Sequence, residues 1–288
     1  MKGLRTISVL GAGRAGRELA RLFYLETVFN VGSVMNRTVE SSREAVSSIG
    51  SGSVAELIIE LCTADIIMIA VPDDQIAMTA EKLAQCPVRP GTVAFHLSGL
   101  RSSDDLVSLA KIGCEVASVH PARSFSANAP GRFKGTPCAV EGSDVACALV
   151  EDAFSKIGGE VFKIDRNQKT LYHASTVMMS NYIVALLNCS TTILEHIGLS
   201  NEQISGIQKS LAPQAVQNFL QNGPQSLTGP VSRGDIATVE NEMKALSGYH
   251  DGAAVLYRTL GKAAMEIAAN SGHLTSQQVL QLKELLSE

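Results

Sequence analysis

His120 and His173 are the side chains best suited to move a proton, since an imidazole with its ordinary pKa of about 6.5 is a competent acid near neutral pH. His120 closes the apolar run Glu115–Val119 and precedes Pro121, which stiffens the turn. His173 begins a polar series with Thr176, Ser180 and Asn181, whose spacings return to one face of a helix. Ser98 ends another apolar run, Thr92–Leu97. Together they make a candidate catalytic set: His120 as the acid, His173 with Ser180 in support, and Ser98 and Asn181 orienting a carbonyl. Arg123 with Ser124, and Arg233 with Asp235, are candidates to hold a substrate, because a guanidinium fork matches a carboxylate. A His-Pro turn also serves simply to end a strand, and a helix histidine is also met as a satisfied core group. These residues therefore need a scaffold that brings them together.

That scaffold is announced at the start of the chain. The short apolar run Thr6–Leu10 opens directly into Gly11-Ala12-Gly13-Arg14-Ala15-Gly16, a G-x-G-x-x-G pattern between a strand and an amphipathic helix carrying Leu19, Leu22 and Phe23. Gly11 allows the tight turn, Gly13 lets the backbone approach a pyrophosphate, and Gly16 permits close packing of helix on strand. The uncompensated N–H groups at the helix start then face the anion. A second strand pattern, Phe29–Met35, ends at Asn36-Arg37, about twenty residues beyond Gly16, where an acid would hold the ribose 2′-hydroxyl of NAD. An arginine there suits a 2′-phosphate instead. The continuous apolar run Ala64–Val71 has the character of a strand buried on both faces, so Val71, Pro72 and Asp73 at its end are expected to line the cofactor. Asp73 or Asp74 also has the position of a helix cap.

Further strand patterns at Thr136–Glu141 and Gly159–Ile164 give about eight strands in all, with helices between the early ones. The expected class is α/β, an N-terminal Rossmann-type doubly wound sheet in residues 1–165. Residues 166–288 carry no strand pattern and are expected to form an all-helical domain for substrate and dimerisation. Its first segment, from Gln168 to Gly198, reads as one helix of about 45 Å at 1.5 Å per residue. Being apolar nearly all round, it is expected to be buried. Ser200 and Gln203 form a capping box for the next helix, which Pro213 is expected to kink or interrupt. The stretch 223–235, rich in Gly and Pro, is expected to be ordered, and helices at about 236–247, 250–270 and 276–287 complete the chain.

Composition narrows the function. The 288 residues are 45% hydrophobic and 18% charged, with a net charge of −4 and no cluster of Lys and Arg, which argues against nucleic acid or an anionic membrane as partner. No unbroken apolar run approaches the ~20 residues of a spanning helix, so the expected location is the cytoplasm. The six cysteines show neither C-x-x-C spacing nor nearby histidines, so no metal is expected and buried free thiols are.

The set GAGRAG with Asn36-Arg37, VPDD at 71–74, HLSG at 96–99, HPARSF at 120–125, YHASTVMMSNY at 172–182 and GPQSLTGPVSRGD at 223–235 resembles, over nearly the whole chain, the Rossmann-like NADP oxidoreductases with a helical C-terminal domain. Ketopantoate reductase, pyrroline-5-carboxylate reductase and 6-phosphogluconate dehydrogenase are of this kind. The resemblance implies NADP as cofactor, a homodimer through the helical domain, and hydride transfer to a small carboxylate-bearing substrate, with a ketopantoate-like 2-oxo acid as first expectation. Reduction of a cyclic imine and a non-catalytic NADP-binding regulator are the alternatives. The ketopantoate enzymes carry a catalytic lysine four residues before an asparagine; Asn181 matches the asparagine, but Val177 stands in the lysine position. His120-Pro121 resembles the His-Pro turn of prephenate dehydrogenases. Arg37 generates the first prediction. Arg37→Asp removes a charged hydrogen bond worth about 1.5–3 kcal/mol and should invert the preference for NADPH over NADH, whereas equal affinity of the unmodified protein for both cofactors in a titration would refute the reading.

Overall fold

The first glycine turn works as a hinge between strand and helix because of what surrounds it. In the computed structural model, which describes residues 3–125 and 133–287, strand β1 (Thr6–Leu10) enters the turn and helix α1 (Arg14–Leu25) leaves it. Gly11 has φ +88°, and a Cβ there would sit 2.7 Å from the Ala70 backbone. At Gly16 a Cβ would meet the Gly11 carbonyl oxygen at 2.8 Å and Ala70 Cβ at 2.9 Å. Leu19, Ala20 and Phe23 on α1 are buried on the sheet, as their helical spacing requires.

The chain continues through β2 (Asn30–Met35), α2 (Val39–Ile49), β3 (Ser53–Val54), β4 (Ile66–Ile69), α3 (Ile76–Ala84), β5 (Val93–His96), α4 (Val107–Lys111), β6 (Glu115–Pro121), β7 (Thr136–Gly142), α5 (Asp144–Lys156) and β8 (Gly159–Lys163). Among the described residues these strands form one eight-stranded sheet of order β3-β2-β1-β4-β5-β6-β7-β8. Strands β3 to β6 in that order run parallel; β7 pairs antiparallel with β6, and β8 runs parallel to β7. The doubly wound class read from the sequence is therefore present, with its switch of direction between β1 and β4. Strand β3 lacked a sequence signal because two residues show no periodicity. One face of the sheet is sealed by aromatic rings set edge to face, Phe154 meeting Phe23 at 5.4 Å and Phe95 at 6.2 Å. The other packs Leu61, Ile67, Ile69, Leu83 and Leu106.

After β8 the chain is helical: α6 (Lys169–His196), α7 (Asn201–Asn222), α8 (Pro230–Arg233), α9 (Ile236–Tyr249), α10 (Asp251–Asn270) and α11 (Ser276–Leu285). Two compact units result, Met1–Ser180 and Asn181–Glu288, so the first turns of α6 pack with the sheet and the rest with the second unit. The second unit has its own core of Val231, Val239, Met243, Met265, Leu282 and Leu286. Ser200 and Gln203 form the capping box of α7, and Asp235 caps α9 by accepting from Thr238 N–H. The Gly- and Pro-rich stretch is ordered as a 3₁₀ turn at Gly223–Ser226 and as α8, with Pro230 at its start, where a missing N–H costs nothing.

Three expectations are corrected. The long helix is not buried in this chain: of its residues only Lys169 is, while Leu171, Met178, Met179, Tyr182 and Val184 are each at least 60% exposed. An all-round apolar sequence states that a helix wants cover without stating that the same chain supplies it. Residues 166–196 are also long and apolar enough to cross a membrane by length and composition, with mean hydropathy 1.4 over the best window. Counting unbroken apolar runs hid this, because Thr, Ser and Asn interrupt a run yet barely lower its average. Finally, Pro213 does not interrupt α7, which runs from Asn201 to Asn222 as one helix.

The glycine geometry predicts a contrast. Gly16→Val must push backbone apart, so it should cost about 1–3 kcal/mol and lower Tm by several degrees, whereas a Cβ at Gly13 meets nothing within 4 Å. Gly13→Val should therefore keep the Tm of the parent in a thermal melt; an equal loss in both variants would show that the turn is held by something other than these contacts.

Candidate active site

Registration of the parallel strands puts their carboxyl ends on one edge. Leu10 pairs with Met35 and with Ile69, Ile69 with His96, and His96 with Ser118. The residues that follow each strand therefore collect along the edge where this class of sheet binds ligands. On its β1 side lies the glycine turn. Gly13 caps α1 with no side chain bonded to the helix start, and the space a side chain would fill there is open. Ala12 is buried, and Arg14 and Ala15 begin the helix. Exposed Arg37 follows β2, beside an Asn36 whose side chain donates to the Ser41 carbonyl oxygen (2.8 Å) and whose N–H donates to Ser42 Oγ (2.9 Å). Asn36 thus fixes the turn that presents Arg37. Uncapped N–H groups, an open Gly13 and an exposed Arg37 one strand away fit a phosphorylated dinucleotide.

Farther along the edge is a dense polar cluster centred on Ser98, which is 5% exposed. Its N–H donates to His96 Nδ1 (3.2 Å), and its hydroxyl donates to Asp73 Oδ2 (2.7 Å) while accepting from the N–H groups of Leu100 and Arg101 (3.1 and 2.9 Å). Its carbonyl oxygen accepts from Lys169 Nζ (2.8 Å). Asp73 accepts from the Ser98 hydroxyl, and Val71 and Pro72 precede it at the end of β4; of its two expected roles the helix cap is absent, since no side chain caps α3. Ser98 is so fully engaged that it acts as the knot of the strand end.

Beside it stand both histidines. A Cβ on Gly99 would lie 2.8 Å from the His173 ring and 2.9 Å from His120 Nε2, so only glycine lets the two rings rest on this backbone. The rings are 6.2 Å apart, centroid to centroid. His120 Nδ1 shares a 3.0 Å hydrogen bond with the Tyr172 hydroxyl. Burial, then the Lys169 charge, then His173, lower the His120 pKa to about 4. The imidazole is thus neutral at pH 7, which corrects the expectation of an imidazolium acid titrating near 6.5. His96 is likewise lowered to about 4, by burial first, and its Nε2 bonds the Ser102 carbonyl oxygen at 3.0 Å. Burial raises Tyr172 and lowers Lys169 to about 8.

The other candidates lie elsewhere or are occupied. Arg123 pairs with Glu18 of α1 at 3.2 Å and lies over the Phe125 ring, with exposed Ser124 next to it. Thr176 and Ser180 spend their hydroxyls on carbonyl oxygens one turn back in α6. Asn181, Arg233 and Asp235 belong to the second unit, where Asp235 is a helix cap with its pKa lowered by its bond to Thr238. Lys169, Tyr172 and Ser118 were missed. The helical stripe through His173 extends four residues back to Lys169, and that spacing was the available signal.

Comparisons with known proteins agree with this architecture. The sequence model of a Rossmann-like domain matches residues 3–121, and that of DUF2520, a domain of unknown function, matches residues 136–264. No curated protein sequence matches the chain. Among solved structures, a candidate NADP oxidoreductase of Bacteroides fragilis shares 20% identity at a TM-score of 0.75, covering 92% of this chain and 99% of that one. A Thermotoga maritima protein shares 27% at 0.74 with the same coverage. An imine reductase of Myxococcus stipitatus, solved in complex with NADP+, shares 16% at 0.66, covering 93% and 95%. The chain is therefore similar to a Rossmann-like domain over residues 3–121 and to DUF2520 over residues 136–264, and it shares the fold of the NADP oxidoreductase-like structures with a helical C-terminal domain.

Proposed function

We propose that the protein is an NADPH-dependent oxidoreductase that delivers hydride to the carbonyl carbon of a small oxo acid. The observation that carries this reading is the shared edge: the glycine turn with Arg37 lies at one end of the strand edge and His120, bonded to Tyr172 of α6, at the other. Likeness to structures solved with NADP+ or NADPH supports the choice of cofactor. A nicotinamide dinucleotide supplies the hydride when bound. The chain holds the pyrophosphate on Gly11–Gly16 and meets the 2′-phosphate with Arg37.

The proton comes from the Tyr172 hydroxyl. An alkoxide forming on the substrate is far more basic than a phenolate, so Tyr172 donates readily despite its raised pKa. A neutral His120 donating through Nδ1 steadies the tyrosinate left behind, which regains its proton from solvent. A neutral donor is what a carbonyl oxygen needs. An iminium substrate already carries its proton, and the Lys169 cation would oppose its charge.

We also propose that a second copy of the chain covers α6. Met178, Tyr182 and Val184 of α6, with Leu211, Phe219 and Leu220 of α7, are large apolar side chains left exposed, the kind of surface a partner covers. Sedimentation should return the mass of a dimer, and a monomer at micromolar concentration would contradict this.

NADPH oxidation against a panel of 2-oxo acids and cyclic imines tests the activity. Turnover is expected on oxo acids. Turnover confined to imines would make the protein an imine reductase, and cofactor binding without any turnover would make it a regulator. With an oxo acid, His120→Asn and Tyr172→Phe should each lower kcat by about 10²–10⁴ while NADPH affinity holds. Because His120 is neutral above about 4, kcat should show no inflection at the ordinary histidine pKa and should fall in acid; a fall on raising pH through the ordinary histidine range would instead require an imidazolium donor.

A further inference from the structure

Lys169 is a charged group where the fold has no need of one. It is the first residue of α6 and 1% exposed, one of the largest fully buried side chains of the protein. Burying an ammonium is costly unless it is paired and hydrogen-bonded, and methionine would fill the same space. Its Nζ donates to the Ser98 carbonyl oxygen at 2.8 Å and to Ser118 Oγ. Ser118 Oγ itself lies 3.3 Å from the carbonyl oxygens of Ser98 and Arg101. The lysine therefore ties the end of β5 to β6 directly behind Gly99, the residue on which both His120 and His173 rest.

We propose that Lys169 is the positioning residue of the site: its ammonium fixes the Ser98–Gly99 backbone against which the two histidines pack, and its charge sets the field at His120. This deepens the reductase reading and rests on it for the catalytic consequence alone. Lys169 does not reach substrate in this account; it acts through Ser98, Gly99 and His120.

Every element around the lysine contributes to that field. From β7 comes Glu141, whose carboxylate accepts from Ser103 N–H and Oγ, each at 2.7 Å. Asp73 follows β4, His96 ends β5, His120 ends β6, and His173 lies one turn along α6. Burial lowers the lysine most, and Glu141 and Asp73 act the other way, leaving it near 8 and so charged at neutral pH. A protonated His120 would face this cation, which is the second cause, after burial, of its low pKa. The same charge bears on His96. Loss of the ammonium should thus let His120 take up a proton at higher pH and should loosen the geometry of its bond to Tyr172.

The test is an NMR titration of the histidine ring signals, which does not depend on turnover. In the unmodified protein the His120 signal should show a second inflection near pH 8, as Lys169 loses its proton. In Lys169→Met the His120 midpoint should rise by about one unit, and in Lys169→Arg it should return toward the parent value. With the substrate found from the panel, Lys169→Met should lower kcat by on the order of tenfold through lost positioning, with KM for NADPH unchanged and partial recovery in the arginine variant. A His120 midpoint unmoved in Lys169→Met would overturn the proposal. If that variant does not fold, absence of the inflection near pH 8 in the parent overturns it instead. If the histidine shifts appear while no substrate turns over, the electrostatic role of Lys169 stands and the reductase reading fails.

Discussion

Parallel strands in register, ending together, are the constraint on which the rest of this structure depends. A parallel ladder fixes which residues face one another, so Leu10, Met35, Ile69 and His96 end their strands along one line, level with Ser118 of β6, which runs on to Pro121. Whatever follows each strand is delivered to that line without further design. The glycine turn, the Asn36-Arg37 pair, Asp73, the Ser98-Gly99 end and His120 are far apart in sequence and neighbours along one edge. The buried faces that hold the ladder flat against its helices, Phe23, Phe95 and Phe154 on one side and Ile67 and Ile69 on the other, are thus also what positions the chemistry.

The two ends of that edge handle polar groups in opposite ways. Around Gly13 the backbone donors are left uncapped and the space is left open, as an anion site requires. Around Ser98 almost every polar atom is already used, which low-dielectric surroundings demand. Burial there drives His96 and His120 to the neutral form and leaves the Lys169 ammonium and the Asp73 and Glu141 carboxylates to set the local field. A hydride acceptor that develops negative charge suits such a place, with a neutral donor in front and a fixed cation behind.

The sequence was most readable where a local pattern has one physical meaning. G-x-G-x-x-G after an apolar strand states its own geometry, and the spacing of Leu19 and Phe23 states which face of α1 is buried. The strand ends carrying Ser98 and His120 were legible for the same reason. The role of Ser98 was not, because engagement by Asp73, His96 and Lys169 is a matter of contacts between residues distant in the chain. The pKa of His120 was hidden likewise, since burial is a tertiary property. Lys169 was overlooked because the expected lysine was sought four residues before Asn181, on a face of α6 that carries Val177, when the histidine stripe itself pointed one turn further back. The exposure of α6 shows the remaining limit: apolar periodicity reports the need for cover and is silent on which molecule provides it.

The central claim is that the glycine turn and the histidine cluster are two ends of one cofactor-dependent site. NMR spectra recorded while NADP+ is added address it directly. Saturation should shift the backbone amides of Gly13 and Ala15 together with the ring signals of His120 and His173, whereas adenosine 2′,5′-bisphosphate, which lacks the nicotinamide half, should shift the signals near Arg37 and leave both histidine rings unmoved. Histidine rings that stay unmoved at saturating NADP+ would contradict the account.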